Sequence, residues 1–558
     1  MANLAKNSTW TALRNPAFRS FWLASLLSGT CVAAHDTAAT WLMHMLTASP
    51  LLISLMSTVA ALPFFILTLP AGAVADVVDR KKLLCVMNVW LAVSAAGLAI
   101  LGFLHLLDPP LILAGVFSIG IGFAFNAPAW GAIVPELVPD EDLPSAATLS
   151  GLQLNISGLL GPALGGLILP LVGPNIVFAI NALAFLVILL AVLNWKGQKV
   201  ASKLPLENFF ESFATAVRYA SHAPGIKVVL FRNALFTLFI ALVPALLPVV
   251  GLKELHLSPS NLGLLYTSMG AGSIAAAVVI LPWARARCPS NMLTILANVL
   301  LSGVFILMAF VRQPQAFFAV AALAGICWTV AASELWVAGQ RAMPGWARGR
   351  MNATIIMIGQ GAIALGGVIW GSSAVFFGPT YTLLAAALLL LVTLPLDMRW
   401  SISITSTLNF DPAPVMSFSH KLIHTPRPHD GPVSITIEYQ VDRSGGCELM
   451  NILRQVRLIH LRNGAYSWQL HEDLGRPNTF RVEMAVPSWN EYLLAQERLT
   501  KSEQEIIQMA EKLHVGPVLP EMRFFLCANR ELHTHRDPKE TEGVTSIRSK
   551  PELVAAEG

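Results

Sequence analysis

A histidine and an aspartate stand next to each other inside the first long apolar stretch of the chain. His35 and Asp36 lie about ten residues before Thr47, where that stretch ends, which corresponds to about 15 Å of helix. A carboxylate inside a membrane is costly and usually faces a cavity or a partner. The pair therefore predicts a proton-coupling or cation-binding site. The alternative is that Asp36 only pairs with His35 or caps a helix kink.

Other polar side chains also fall inside apolar stretches and could line a cavity for a ligand. Amides in such positions can hydrogen-bond a ligand, but more often they join two helices. Glu334, the acidic residue of the set, could instead pair with Arg341 or reach water. The candidate cavity residues are Asn126, Gln153, Asn155, Glu334 and Gln360.

A glycine-proline motif occupies the fifth apolar stretch. Glycines at this spacing predict backbone contact between one helix face and a neighbouring helix. The proline removes a hydrogen bond and bends or loosens the helix. A closely packed, bendable helix suits a protein that changes conformation, although plain helix packing would use the same residues. The motif consists of Gly158, Gly161, Pro162, Gly165 and Gly166.

A second motif connects the second and third apolar stretches. It contains Gly72, Asp76, Arg80 and Lys81. Glycine permits close packing at a helix end, and Asp76 could pair with a basic residue or cap the following helix. The alternative interpretation is that the basic cluster only sets topology, and these two interpretations are compatible.

The composition divides the chain into two parts. The 558 residues are 55% hydrophobic and 13% charged, with a mean hydropathy of +0.61, whereas soluble domains have about 25% charged residues. Of the first 400 residues 33 are charged, against 37 of the last 158. The first part is typical of a membrane protein and the second of a soluble domain. The six scattered cysteines predict neither a disulfide scaffold nor a metal site, and the net charge of +4 gives no indication of nucleic-acid binding.

The first part resolves into twelve apolar stretches that can each span a membrane. Eighteen of its 20 Lys and Arg residues fall on one side if both ends are cytoplasmic, which predicts that orientation. We therefore predict an all-α polytopic membrane protein. The predicted spans are 18–46, 50–75, 83–105, 111–134, 145–170, 174–195, 226–250, 258–282, 291–311, 315–339, 351–377 and 380–396.

Self-comparison indicates an internal repeat of six spans plus six. The dipeptide Phe18-Arg19 recurs at residues 231–232 and Ser49-Pro50 recurs at 258–259, in the same order and with a slowly drifting offset. The stretch 163–166 recurs at 364–367. Parallel repeats of this kind place a substrate site between the halves near the middle of the membrane. The predicted domains are 1–195 and 226–400 for the two halves, 196–225 and 401–430 for linkers, 431–530 for a soluble domain and 531–558 for a disordered tail.

The soluble part has the pattern of an α+β ferredoxin-like domain. Its predicted elements follow the order strand, helix, strand, strand, helix, strand. They cover residues 433–441, 446–460, 465–473, 479–486, 488–514 and 522–527. The side chains that could form a polar site there lack the spacing of a metal site or a nucleophile triad. They are Trp468, His471, His460 and His514.

With these spans and this repeat, the chain resembles the major facilitator superfamily. The superfamily's loop pattern, Gly-x-x-x-Asp-Arg-x-Gly-Arg-Arg, is matched at four positions of the second motif, while Val77 and Asp79 depart from it. The glycine-proline motif resembles that of the drug-antiporter branch, which moves substrates outward. Gly120, Gly122 and Phe123 occupy the region of the fourth span where the superfamily has a familiar arginine, so Asp36 is the better candidate for proton coupling.

Three segments narrow the resemblance. LRNPAFRSFWLASLLS, LPAGAVADVVDRKKLL and FNAPAWGAIVPELVP are similar to the transmembrane secretion effectors, a branch that includes enterobactin-exporter-like proteins. The soluble domain resembles the dimeric barrels of the antibiotic-biosynthesis monooxygenase group.

The resemblance implies a secondary active transporter in a bacterial cytoplasmic membrane. We expect a proton-coupled exporter of a small amphipathic molecule, such as a siderophore, drug or metabolite, that works by alternating access. Its partners would be the substrate, protons and the lipid bilayer, with a homodimer formed through the soluble domain. We expect no cofactor, no metal, no nucleic acid and no enzymatic activity. The alternatives are an importer of the same fold and a bifunctional protein with an oxygenase-like or haem-binding soluble domain.

Overall fold

The computed structural model describes residues 10–47, 49–195, 217–402, 409, 411–413, 426–442, 445–516 and 520–526. These residues form two compact units that divide near residue 412. The predicted tail and most of both predicted linkers lie outside the described residues.

The first unit contains twelve helices that are long and apolar enough to cross a membrane. All twelve predicted spans are present, with bounds within four residues of the prediction. The helices are α1 (Pro16–Leu46), α2 (Pro50–Val77), α3 (Arg80–Phe103), α4 (Pro109–Leu137), α5 (Leu143–Val172), α6 (Pro174–Asn194), α7 (Gly225–Glu254), α8 (Pro259–Arg285), α9 (Ser290–Phe310), α10 (Pro314–Arg341), α11 (Arg348–Phe377) and α12 (Pro379–Arg399).

Local sequence signals fix where these helices begin. Most of them start at a proline, whose missing N–H is not needed in the first turn. The side chain of Asn15 caps α1, since it accepts hydrogen bonds from the backbone N–H groups of Ala17 and Phe18. Asp79 and Asp108 cap α3 and α4 in the same way.

Two helices of the second half are irregular. Helix α7 is interrupted at Ala241 and ends in a π-helical turn at Val250–Glu254. Helix α8 contains a π-helical turn at Ala276–Ile280. Such turns occur often at functional sites, because they realign the side chains that follow.

The twelve helices pack as two halves, α1–α6 and α7–α12. Within the first half α1 packs against α5 and α6, and α3 against α6. Between the halves α2 packs along α11, and α5 packs along α8. We call the side where α1 begins and α12 ends the termini side, and the opposite side the far side.

The second unit is built around a four-stranded antiparallel sheet with strand order β2-β3-β1-β4. One face of β1 is buried against helices and the other is partly exposed, as the alternating sequence predicted. The strands and helices follow one another in the predicted order, except that two helices stand between the third and fourth strands. The elements are β1 (Val433–Gln440), α13 (Gly446–Asn463), β2 (Ser467–Glu472), β3 (Thr479–Val486), α14 (Trp489–Glu497), α15 (Lys501–Lys512) and β4 (Glu521–Leu526).

The single helix predicted over 488–514 is wrong, because the structure has two helices there. Ser488 caps the first one by accepting from the backbone N–H of Glu491 at 3.2 Å. The Glu491 carboxylate binds Arg498 at 2.8 Å. Arg498 also donates to the carbonyl of Asn463 at 3.2 Å, so the chain turns inward between α14 and α15.

Candidate functional site

Asp36 lies at the boundary between the two halves. Its side chain is exposed, whereas the side chains on both sides of it, His35 and Thr37, are buried. Tyr266 of α8, in the opposite half, lies close enough to Asp36 and Thr40 to interact with both. The Thr40 hydroxyl in turn donates to the Asp36 carbonyl oxygen at 2.8 Å. A carboxylate in this position can meet a proton or a ligand that enters between the halves.

His35 does not share the position of Asp36. Consecutive helical residues point about 100° apart, and the His35 side chain is directed into the first half, where it is 1% exposed. Its ring packs on Phe178 of α6 with 4.4 Å between ring centroids. Neither ring nitrogen has a hydrogen-bond partner among the described residues. The two residues predicted to act together therefore face different surroundings.

The glycine-proline motif places α5 in contact with two helices. A Cβ atom on Gly161 would lie 2.5 Å from the Cβ of Ala33, and one on Gly165 would lie 2.8 Å from the Cα of Ala34, both on α1. A Cβ on Gly166 would lie 2.7 Å from the Cα of Gly263 on α8. The motif thus joins α5 both to its own half and to the opposite half.

The predicted amide candidates divide into a structural group and an accessible group. Gln153 is buried and donates to the Ser25 carbonyl at 3.0 Å, so it joins α5 to α1. Asn155 is exposed and donates to the Gly151 carbonyl of its own helix at 2.9 Å. Asn126 is half-buried, and its amide oxygen has no hydrogen-bond partner among the described residues. Gln360 is also half-buried.

Glu334 belongs to an ion pair inside the second half. It is 1% exposed, and its carboxylate accepts from Nε of Arg285 at 2.6 Å. The partner is therefore Arg285 on α8, and not the Arg341 considered from the sequence. The pair ties α8 to α10 at the termini side.

The loop motif makes an equivalent connection in the first half. Arg80 forms an ion pair with Glu136 of α4, and Lys81 donates to the carbonyl oxygens of Leu193 and Trp195 at the end of α6. The residue that caps α3 is Asp79, whose side chain accepts from the backbone N–H of Lys82 at 3.1 Å. The side chain of Asp76 lies outside the described residues. No described atom lies within 4 Å of a Cβ added to Gly72, so the expected close packing there stays a prediction.

A buried ion pair between α7 and α12 was missed by the sequence analysis. Arg232 Nε lies 3.1 Å from Asp397 Oδ1, and both side chains are 2% exposed. Asn298 donates to the other carboxylate oxygen at 2.7 Å, while Arg232 also donates to Thr294 at 2.6 Å and to Asn291. The predicted twelfth span ended at residue 396, which placed Asp397 outside the bundle.

The polar side chains predicted for the soluble domain have different surroundings. Burial lowers the pKa of His460 on α13 to about 4, so this imidazole is neutral at physiological pH. His471 is exposed on β2, and His514 accepts a hydrogen bond from the Gln440 backbone at 2.9 Å. Trp468 contributes to both hydrophobic clusters of the domain. The described part of the chain also contains no group of three His, Cys, Asp or Glu residues that could hold a metal ion.

Comparison with known proteins gives the family. The model of a family described as transmembrane secretion effector matches residues 7–532. Macrolide efflux protein A of Streptococcus pyogenes is 23% identical over 305 residues, which cover 54% of this chain and 74% of that protein. The enterobactin exporter EntS of Shigella boydii serotype 4 is 26% identical over 387 residues, which cover 68% of this chain and 90% of the exporter.

Solved structures share the fold of the helical unit. A POT family transporter superposes with a TM-score of 0.59 at 12% identity, covering 70% of this chain and 97% of its own. A bacterial homologue of the iron transporter ferroportin, in an inward-facing state, gives a TM-score of 0.54 at 16% identity, covering 69% and 98%. The family match extends over both the twelve-helix unit and the sheet. The chain therefore belongs to the transmembrane secretion effector family, a branch of the major facilitator superfamily of transporters.

Proposed function

We propose that this protein is a proton-coupled exporter of a small amphipathic molecule and that Asp36 is its coupling group. The observation that carries the proposal is the place of Asp36, an exposed carboxylate inside an apolar span at the boundary between the halves. Relatives named for macrolide efflux and enterobactin export support outward movement and a substrate of that kind. The substrate is expected to bind between the halves, near Asn126, Asn155 and Gln360.

Protonation of Asp36 supplies a physical basis for coupling. The charged carboxylate favours a conformation in which it stays hydrated, and the neutral acid tolerates a closed, apolar environment. A proton taken up from the acidic side therefore shifts the balance between two conformations. Substrate and proton then exchange across the membrane in opposite directions.

The contacts between the halves favour binding from the termini side. The glycine contacts of α5 with α8 run from the far-side part of both helices, where Gly166 meets Gly263, to their middle, where Gly270 meets Gly158. The ion pairs of Arg80 and Arg285, described above, each join helices of a single half at the termini side. A cavity of about 210 Å³ also opens there between α2, α11 and the helical residues 217–222, with Leu69 and Met357 in its wall. With the termini cytoplasmic, as the Lys and Arg distribution predicts, this arrangement suits uptake of substrate from the cytoplasm.

We assign the soluble domain a regulatory or dimerising role. The outer face of its sheet carries charges of both signs, such as Glu438 beside Arg481 at 3.3 Å, which suits contact with a second copy of the same face. The contacts described for His460, His471 and His514 offer no support for the oxygenase-like or haem-binding alternative. Homodimer formation stays a prediction.

Transport into inverted membrane vesicles tests the proposal. Vesicles with an acidic interior should accumulate a radiolabelled macrolide or enterobactin, and the Asp36→Asn variant should abolish this uptake while its expression is retained. Asp36→Glu should keep part of the activity because it keeps the carboxyl group. Asp108→Asn is the matched control, since asparagine also caps a helix and Asp108 lies at the far-side start of α4. The proposal would be contradicted if the Asp36→Asn variant accumulated either compound as well as wild type, or if wild-type vesicles took up neither compound.

A further inference from the structure

The internal repeat is visible in two corresponding contacts between the halves, α5 with α8 and α2 with α11, which we call seams. In the α5–α8 seam, Gly165 packs on α1 of its own half while Gly166 packs on Gly263 of the opposite half. In α11 the repeat places Gly366 and Gly367 at the corresponding positions. A Cβ on Gly366 would lie 2.6 Å from the Leu238 carbonyl of α7, its own half.

The α2–α11 seam completes the correspondence. A Cβ on Gly367 would overlap the hydroxyl of Thr58 on α2, in the opposite half, and one on Gly371 would overlap that of Ser54. In both halves, therefore, the first glycine of the Gly-Gly pair faces the first helix of its own half, which is α1 for Gly165 and α7 for Gly366. The second glycine faces the other half.

Each seam also contains a threonine hydroxyl that donates across the boundary. Thr58 of α2 donates to the Ala364 carbonyl of α11 at 3.0 Å, and Thr267 of α8 donates to the Leu159 carbonyl of α5 at 3.4 Å. The two threonines are 209 residues apart, which is the offset between Ser49-Pro50 and residues 258–259. They are equivalent positions of the repeat, and no motif of the sequence singled them out.

We propose that Thr58 and Thr267 are positioning residues of the transport cycle, which hold the far side closed by bonding to the backbone of the opposite half. This inference rests on the alternating access of the proposed function. Opening of the far side must separate α2 from α11 and α5 from α8, and it therefore breaks both hydrogen bonds. Since each donor is a side chain, the energy of closure can be changed without altering the glycine packing.

The two bonds differ in strength. Thr58 is buried, and its bond to Ala364 has ordinary length. The Thr267 hydroxyl is shared, because it also donates to the Gly263 carbonyl of its own helix at 2.8 Å. Loss of the Thr58 hydroxyl should therefore open the far side more than loss of the Thr267 hydroxyl.

Hydrogen–deuterium exchange of the full-length protein in nanodiscs tests the inference without any substrate. Thr58→Val keeps the shape of the side chain and removes the hydroxyl, at a net loss typical of one hydrogen bond, so the far-side-open population should rise about fivefold. Exchange should increase in peptides covering 50–58 and 361–371. Thr267→Val should give a smaller increase in exchange at 259–267. Thr58→Ser keeps the hydroxyl and should exchange like wild type.

A structural role alone would give a different pattern. Thr237→Val is the matched control, because Thr237 is buried and bonds to the Asn233 carbonyl within its own helix. The control should leave far-side exchange unchanged. Equal exchange in Thr58→Val and wild type, or exchange raised throughout the bundle with a lowered unfolding temperature, would overturn the inference. Failure of the vesicle assay with Asp36 would not affect this result, so the two proposals fail separately.

Discussion

The ion pair of Arg232 and Asp397 allows a quantitative test of how the second half is held together. Replacing Asp397 by leucine would leave the guanidinium charge without its carboxylate in a site where both side chains are 2% exposed. The remaining partners of Arg232, which include Thr294 and Asn291, are neutral and cannot replace the lost charge. We therefore expect the second half to lose stability.

The expected loss is large for a single substitution. Removing one partner of a buried pair costs about 3–5 kcal/mol, because an uncompensated charge stays buried. Removing both partners leaves no such charge, so the double variant Arg232→Met/Asp397→Leu should recover most of that loss. The more accessible pair of Arg312 and Glu254 in the same half provides the control. Arg312 is 44% exposed, and Arg312→Met should cost no more than about 1 kcal/mol.

Equilibrium unfolding in mixed micelles with increasing sodium dodecyl sulfate would measure these free energies. The order of stability should be wild type, then the double variant close to it, with Asp397→Leu well below both. A single variant that unfolds at the same detergent fraction as Arg312→Met would refute the reasoning. So would a double variant that is less stable than the single one, since the buried charge could then not be the cause.

Two further predictions concern packing and pH. Gly161→Ala should lower stability by about 1–3 kcal/mol, because the added methyl group would overlap with Ala33 on α1. Gly158→Ala should raise stability by up to about 1 kcal/mol through helix propensity, because no described atom lies within 4 Å of its Cβ. Thermal unfolding should therefore show a lower unfolding temperature for Gly161→Ala and a higher one for Gly158→Ala. Burial lowers the pKa of His460 from 6.5 to about 4, so the unfolded chain binds more protons than the folded chain between these pH values. The soluble domain should therefore lose up to about 3 kcal/mol of folding stability as pH falls through that range. Limited proteolysis of the full chain should show this loss of stability in wild type and much less of it in His460→Gln.

The twelve spans could be predicted because lipid leaves the backbone few choices. Every N–H and C=O inside the membrane must be satisfied within the helix, so an apolar stretch of sufficient length is enough to predict one. The end of a span is harder to predict when a charge lies in its last turn. The predicted twelfth span ended before Asp397 because that residue is charged. Helix α12 nevertheless continues to Arg399, since Arg232 neutralises the charge of Asp397.

The direction in which each polar side chain points could not be predicted. Membrane helices here are apolar on most sides, so the position of Asn126 or Gln153 around its helix carries little signal in the sequence. Asp36 could be proposed from its residue type alone, since a charge in that place needs a reason. Tyr266 could not, because its position beside Asp36 depends on a contact between two helices 230 residues apart in the chain.

The seam in which Gly166 meets Gly263 has a consequence for the entropy of each transport cycle. A side chain that becomes buried gives up rotamer freedom, at about 0.5–1 kcal/mol for leucine or isoleucine, whereas glycine has none to give up. The two halves can therefore seal tightly without ordering any side chain at this point. A barrier of this kind forms and opens again with little entropic penalty, which suits a seal that must be broken in every turnover.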